Sequence, residues 1–424
     1  MRRSNIKANV VSNESFERIG ILVFSATRTA AIKNHLNLLV KYRPDSKQFP
    51  IIVSIDGYSE QLTKYVQTFS GEHEQIFSWN HDQNQTLVRN KQNYFLIAHH
   101  YKYGLDRIFR EYNFDKVIVT EEDLDISSDF FLYFYSMRKV LDNDPSIMCI
   151  SAWNDNGGKN LINPKETLSF HRTDFFPGLG WMLKRSFWEE MSPIWPEAYW
   201  DDFLREPKTR QLRSCVYPEI PRTLHNQAVA GRGSSNGLFR SYLSNIMLST
   251  GNITYHDFDG TNLIKGNYDN SLWNEISNSQ QITIDQIANI SHLTDNLSYS
   301  CIYTDPRDYI KLAKQYGLMP DIRGGGMTRT SYYGIITFFV KNKRFYLIPP
   351  NITQESFNQD PHESLYNKDW YGKTLYLEFE ETYCKNKRIQ LPRPCDPANK
   401  IFKHSFLTRY EQKKLDAYKD MIVY

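Results

Sequence analysis

Along the first third of the chain, short and almost wholly apolar runs alternate with longer stretches in which apolar side chains recur every third or fourth position. Ile21-Leu22-Val23-Phe24, Pro50-Ile51-Ile52-Val53-Ser54-Ile55 and Lys116-Val117-Ile118-Val119 are runs of the first kind. They predict strands buried on both faces. A helical pattern follows the first run to about Tyr42 (Ile32, Leu36, Leu38, Leu39), a second covers Glu60 to Phe69, and a long one covers about Asn93 to Tyr112. A weaker strand is predicted near Ile76 to Trp79. Strands alternating with helices imply βαβ units and a mainly parallel sheet, hence an α/β fold.

Polar residues end these strands: Arg28 follows the first, Asp56-Gly57 ends the second, and Glu121-Glu122-Asp123-Leu124-Asp125 follows the third. In a parallel sheet the carboxyl ends of the strands share one edge, and a crevice at that edge is where ligands bind. Acids so crowded repel one another unless a cation or ligand intervenes, so a metal or ligand site is expected here. A helix dipole accounts for Asp129 and Asp125, not for Glu121, Glu122 and Asp123 against a strand end. Ser127, Ser128 and Asp129 offer an N-cap to a helix whose apolar stripe holds Phe130, Phe131 and Phe134.

Further on, Ile147 to Trp153 predicts another strand, ending in the turn residues Asn154 to Gly158. Arg172 to Leu183 reads as strand-like, with Gly178 and Gly180 marking close backbone approach to either a ligand or another strand. Trp200-Asp201-Asp202 sits on a Pro-bounded helix; the acid pair suits either a general base or a helix N-terminus. Gly231 to Gly237 is a hydroxyl-rich loop suited to closing over a phosphate. From about Asp257 the chain turns polar. It then predicts a helix from Tyr309 to Leu318 and a hairpin of Tyr333 to Val340 with Arg344 to Ile348. Beyond Pro350 come a strand-like run, Thr374 to Phe379, and a Lys/Glu-rich terminal helix. The expected organisation is a tail (1–19), a catalytic domain (20–256), a smaller α+β domain (257–352) and an extension (353–424).

Composition mainly excludes. Lys and Arg total 51 against 48 Asp and Glu, net +3, with no basic stripe for a nucleic-acid backbone. No Gly-x-Gly-x-x-Gly or P-loop lysine follows the first strand, which argues against dinucleotide enzymes and P-loop NTPases. No apolar run is long enough to span a bilayer, and Met1-Arg2-Arg3 leads into no signal-peptide core. The five cysteines show no zinc-ligand spacing.

Taken together, four motifs resemble the N-acetylglucosaminyltransferase I family of the Golgi, which also includes the protein O-mannose N-acetylglucosaminyltransferase. They are Glu121 to Asp125 before Phe130-Phe131, Ser151-Ala152-Trp153-Asn154-Asp155, Phe176-Pro177-Gly178-Leu179-Gly180-Trp181, and Trp200-Asp201-Asp202. The resemblance runs from about Ile21 to Pro350 and implies a GT-A fold that binds UDP-GlcNAc with Mn2+. The family transfers GlcNAc, with inversion, to the 2-hydroxyl of a mannose-terminated glycan. Carried over by position, Asp123 matches the metal-binding aspartate, and Glu121 and Glu122 match acids that contact the donor. Arg28, Asp56 and His100 match nucleotide-pocket residues. Asp201 matches the catalytic base, and Ser235 lies in the loop that orders over the donor. Without the resemblance, His100 on a helix reads as a structural histidine.

The resemblance implies a Cys149–Cys215 disulfide and sets Ala26 and Gly57 where the N-glycan enzyme has a second one. Cys384 and Cys395 are spaced for a local bridge, which leaves Cys301 free. Glu121-Glu122-Asp123 and Ile55-Asp56-Gly57-Tyr58 resemble the O-mannose member, whereas Trp200-Asp201-Asp202 and Thr173-Asp174-Phe175-Phe176 resemble the N-glycan member. The expected acceptor is an N-glycan mannose, with O-mannose the alternative and an inactive sugar-binding homologue a third reading. Family members are type II Golgi proteins, so a lumenal location is expected although no anchor is visible in this sequence.

Overall fold

A computed structural model of the chain describes residues 17–57, 59–83, 93–230, 240–251, 253–256, 258–323, 326–359, 369–385 and 412. The predicted alternation is present. Strands β1 (Ile19–Ser25), β2 (Ile51–Asp56), β3 (Ile76–His81) and β4 (Lys116–Glu121) are separated by helices α1 (Thr29–Tyr42), α2 (Glu60–Glu72) and α3 (Asn93–Tyr112). Neighbouring strands run parallel in the order β3-β2-β1-β4. The sheet then continues through β8 (Trp181–Lys184), β6 (Ile147–Ser151), β9 (Ser214–Pro218) and β7 (Phe170–Thr173) to eight strands. Strand β8 is antiparallel to both of its neighbours, β4 and β6.

The unbroken apolar runs arise because both faces of the sheet are covered. Ile21 and Val23 of β1 pack with Ile32, Leu36 and Leu39 of α1 and Leu62 and Val66 of α2. The alternate residues Leu22 and Phe24 pack with Ala98, Leu105 and Ile108 of α3. Each of the Ile, Leu, Val and Phe side chains among these contributes about 1.5–3 kcal/mol on burial. A Cβ at Gly104 would lie 2.6 Å from the Phe24 ring, so this glycine sets how closely α3 approaches β1.

The segment after the acidic motif differs from the capping expectation. Asp129 is at the N-cap of α4 (Phe130–Asn143) but makes no capping hydrogen bond with its side chain. Its carboxylate instead accepts from Arg222 Nε (3.1 Å), Tyr255 OH (2.9 Å) and Ser127 Oγ (2.6 Å). A buried guanidinium outbids a backbone N–H for a carboxylate.

The run from Arg172 to Leu183 is two strands, β7 and β8, with a loop between them. At Gly180 the close approach is to a strand: a Cβ there would lie 2.7 Å from Thr223 Cγ2 of β10 (Thr223–His225). Strand β10 pairs antiparallel with β5 (Leu124–Ile126) as a separate ribbon.

A second sheet has the strands β11 (Gln280–Ile282), β12 (Ser298–Ile302), β13 (Ile336–Val340) and β14 (Lys343–Ile348). Its order is β11-β12-β14-β13, and it holds the predicted hairpin. Lys341 and Asn342 turn with φ of 47° and 61°, the left-handed pair that a two-residue hairpin loop requires. This part is bound tightly to the first sheet: Arg344 pairs with Glu219 and Glu166, and Arg329 with Asp155.

Thr374 to Phe379 is a correction, because it lies in a helix, Asp369–Phe379. Short apolar runs fit either period, and packing decides between them. The tail to residue 16 and the Lys/Glu-rich terminal helix fall outside the described residues, apart from residue 412. Cys149 and Cys215 are disulfide-bonded, Cys301 is free and buried, and Cys384 is also disulfide-bonded. Cys395 lies outside the described residues. Among the described residues no helix is long and apolar enough to cross a membrane.

One buried histidine pins the strand edge. His35 of α1 is fully buried, with Nδ1 2.6 Å from Leu124 O and Nε2 2.8 Å from Thr120 Oγ1. Burial pushes its pKa from 6.5 down to about 4. Below 6.5 the unfolded chain takes up this proton while the fold refuses it, so stability declines as pH falls from about 6.5 to about 4 and is unaffected above that window. The loss expected from His35 is about 3 kcal/mol at pH 4. Urea unfolding at pH 7 and pH 4.5 checks this: His35→Gln should lose less stability than the wild type across the interval, and an equal loss would disprove the assignment.

Candidate active site

Parallel register brings the polar strand ends together. Phe24 lies opposite Glu121, Ser25 opposite Ile55, and Asp56 opposite His81, so the residues after β1, β2, β3 and β4 share one edge. Three groups of side chains occupy it.

The first holds Arg28, Glu122 and Asp123. Glu122 is 2% exposed and accepts from Ser25 Oγ (2.5 Å), Ala26 N (3.2 Å) and Arg28 Nε (2.7 Å). Arg28 Nη1 reaches Asp123 Oδ2 at 2.8 Å, and His225 Nε2 lies 3.4 Å from the same oxygen. Burial alone would raise the Asp123 carboxyl, but His225 and Arg28 hold it at about 2. Asp123 Oδ1 is buried with no hydrogen-bond partner among the described residues. An orphaned anionic oxygen in the interior costs more than an unmet neutral one unless a cation meets it. Beside it, burial and the Asp123 charge push Glu121 up to about 7, although Tyr101 OH donates to it at 2.7 Å. Carboxylate oxygens suit a hard divalent ion such as Mn2+, and the unmet oxygen fits one.

The second group surrounds Asp56. Its Oδ1 accepts from Gln83 Nε2 at 2.7 Å and lies 3.2 Å from His81 Nδ1. Burial would raise this carboxyl, yet His81, His100 and Gln83 keep it below the usual range. His100 is buried, its Nε2 is 2.9 Å from Ser54 Oγ, and burial lowers its pKa to about 4. Asp56, His81 and His100 bring donor atoms within 4.8 Å of one another, a second arrangement able to hold a metal. However, Ser54 already occupies His100 Nε2, and Asp56 Oδ1 already takes two contacts, whereas Asp123 Oδ1 has none.

The third group lies on α5 (Trp200–Arg205). Asp201 and Asp202 are 40% and 41% exposed, and Arg205 Nη1 is 2.8 Å from each. Burial would raise the Asp201 carboxyl, but Arg205, with Arg323 and Arg329 behind it, holds it below the usual carboxylate range. Arg205 is itself fixed by donation to Phe176 O and by the Phe175 ring 4.3 Å beneath it. Tyr101 connects this group to the first: its ring stacks on Trp200 at 4.1 Å and on Phe24 at 4.0 Å, and its hydroxyl holds Glu121.

Of the residues singled out in the sequence, Arg28, Glu122 and Asp123 touch, Glu121 joins them beside Tyr101, and Asp56 sits with His100. Asp201 stands apart, across the Tyr101–Trp200 stack. Ser235 lies outside the described residues. The sequence reading missed Tyr101, His81, Gln83, Arg205 and His225. His81 and His225 each end a strand, a place where polar residues signal a site; Tyr101, Gln83 and Arg205 carry no local mark. The Ser151 to Asp155 motif meets the segment from Met319 to Thr330: Asp155 pairs with Arg329, and Asn156 beside it bonds Thr330 Oγ1 and Met319 N.

The GNT-I family matches residues 3–361 of this chain. An Arabidopsis thaliana relative, alpha-1,3-mannosyl-glycoprotein 2-beta-N-acetylglucosaminyltransferase, is 32% identical over 339 residues, covering 78% of this chain and 74% of the relative. Among solved structures, the mannosyltransferase PcManGT of Pyrobaculum calidifontis, in complex with GDP-Man and Mn2+, overlaps at a TM-score of 0.37 and 15% identity. That overlap covers 53% of this chain and 60% of the other, less than two thirds of its length. S. aureus TarS 1-349 in complex with UDP-GlcNAc overlaps at a TM-score of 0.33 and 10% identity, over 47% and 55%. These loose overlaps add nothing to what the sheet itself shows.

Proposed function

This chain belongs to the GNT-I family, and from that premise we propose that it transfers GlcNAc from UDP-GlcNAc, with inversion, to the 2-hydroxyl of a terminal α-mannose of an N-glycan. One observation carries the reading: the buried, unpartnered oxygen of Asp123 lies at the strand edge, and a carboxylate pair on a separate helix is linked to that edge through Tyr101. A donor site and a base on different elements are what single displacement needs, because the base must face the anomeric carbon from the side opposite the leaving group.

In this reading Arg28, Asp56 and His100 line the nucleotide pocket, and Glu121 and Glu122 contact the uridine, ribose or GlcNAc of the donor. Ser235, outside the described residues, is the remaining donor contact that the family likeness implies, and Asp123 would hold Mn2+. The bound ion supplies Lewis-acid neutralisation of charge on the departing diphosphate. Asp201, kept ionised by Arg205, accepts the proton of the mannose 2-hydroxyl. The oxygen so freed forms the new bond to C1 of GlcNAc as the bond to UDP breaks, through a state with oxocarbenium character. Tyr101 holds Glu121 in place, and the Trp200 face offers stacking to a sugar ring. Residues 20–256 act as the catalytic domain and 257–352 brace it. The family's lumenal Golgi location is part of the same proposal.

Transfer to O-mannose is the second reading, favoured by Glu121-Glu122-Asp123 and Ile55-Asp56-Gly57-Tyr58. A transfer assay with UDP-GlcNAc against N-glycan and O-mannosyl acceptors, with Mn2+ or a chelator, tests both. Product on the N-glycan mannose only with metal is expected. Product on O-mannose alone moves the acceptor to the second reading. No product on either acceptor rejects the activity.

A further inference from the structure

We propose that His225 is a second protein ligand of the divalent cation, joining Asp123 through its Nε2. This rests on the reading of Asp123 as the cation's carboxylate. The β5–β10 ribbon delivers the imidazole: His225 pairs with Leu124, one residue from Asp123. The next residue clamps the ribbon at both flanks, since Asn226 N donates to Asp123 O at 2.8 Å and Asn226 Nδ2 donates to both oxygens of Asp125 at 3.0 and 3.1 Å. His225 Nε2 stands 3.4 Å from Asp123 Oδ2 on a ribbon that these bonds tie to the acidic segment. Adjacent ligands of an octahedral ion bonded at about 2.1 Å lie about 3 Å apart, so little movement turns this contact into a shared coordination sphere. The unpartnered, buried Asp123 Oδ1 completes the picture of a carboxylate arranged for something besides its present neighbours.

The far side of the ring is also prepared. His225 Nδ1 lies 2.7 Å from the side-chain amide of Gln227. With the amide nitrogen facing it, Nδ1 accepts and Nε2 carries the proton toward Asp123. Turning the amide by half a revolution puts Oε1 at the same place, so Nδ1 donates and the Nε2 lone pair is free for a cation. A metal-bound histidine that donates its second ring N–H to an oxygen is the usual outer-shell arrangement. One imidazole beside carboxylate oxygens also biases the site toward Mn2+ over Mg2+.

The test uses the full chain with UDP and Mn2+. Pulsed EPR of the bound Mn2+ should show modulation from a directly coordinated 14N, and 15N-histidine labelling should change it, a result that needs no variant. His225→Gln should remove the signal and weaken Mn2+ binding about ten-fold or more. Bound Mn2+ that is lost in Asp123→Ala but shows no nitrogen coupling in the wild type overturns the His225 assignment and leaves Asp123 standing. Wild-type protein that binds no Mn2+ with UDP overturns both.

Discussion

Asp201→Asn should abolish measurable transfer while UDP-GlcNAc binding persists, with an expected fall in kcat of about 10³-fold, within the 10²–10⁴-fold typical of a lost general base. That corresponds to about 4 kcal/mol of transition-state stabilisation. The donor Kd should change little, because Asp201 lies across the Tyr101–Trp200 stack from Arg28, Glu122 and Asp123. The fold should survive the change. Asp201 is 40% exposed, and Arg205 keeps its contact with Asp202 and its bonds to Phe176 O. Asp202→Asn is the control. It removes an equivalent contact with Arg205 and should retain most of the activity. Near wild-type transfer by Asp201→Asn removes Asp201 as the base, and loss in Asp202→Asn alone moves the role by one residue. Because Arg205 holds the Asp201 carboxyl below its ordinary range, the acid limb of kcat should lie below the ordinary carboxylate pKa, 3.8. Activity limited by this group should then be flat from about pH 5 upward.

Asp123→Ala should remove the metal-dependent part of donor binding, about 10²-fold or more in Kd for UDP-GlcNAc measured by calorimetry with Mn2+ present. The variant deletes the buried oxygen that lacks a partner and leaves Arg28 with Glu122 alone. Asp123→Asn keeps the shape and should show the same loss, which separates a metal effect from a packing effect. The decisive control is the wild type. If its donor affinity is the same with Mn2+ and with a chelator, Asp123 has no metal role. Should Asp56→Asn and His81→Ala alone remove metal binding, the ion belongs to the Asp56, His81 and His100 group instead.

The strand-edge cluster is legible in the sequence because its parts are local. Short β-branched apolar runs alternating with helical patterns point to strands covered on both faces, parallel strands end at one edge, and Arg28, Asp56 and Glu121 to Asp123 follow those ends directly. The partners that make the cluster chemically specific were not legible. Arg205 looks like an ordinary helix residue until it is found between Asp201 and Asp202 with Phe175 beneath it. Tyr101 is one of many tyrosines, and only the packing of α3 on β1 sets its hydroxyl against Glu121. Asp129 shows the reverse: a correct N-cap position whose side chain was claimed by Arg222, from a distant part of the chain.

Apolar periodicity and strand-end chemistry therefore determine the α/β class, the sheet edge and the acids that line it, because those properties depend on neighbours a few residues away. Tertiary structure alone decided which oxygen of Asp123 is left without a partner among the described residues, that Gly180 packs closely on Thr223, and that Thr374 to Phe379 is helical. It also decided that His225 faces Asp123. Each of these depends on contacts between segments far apart in the chain, and long-range pairing leaves no period in the sequence to read.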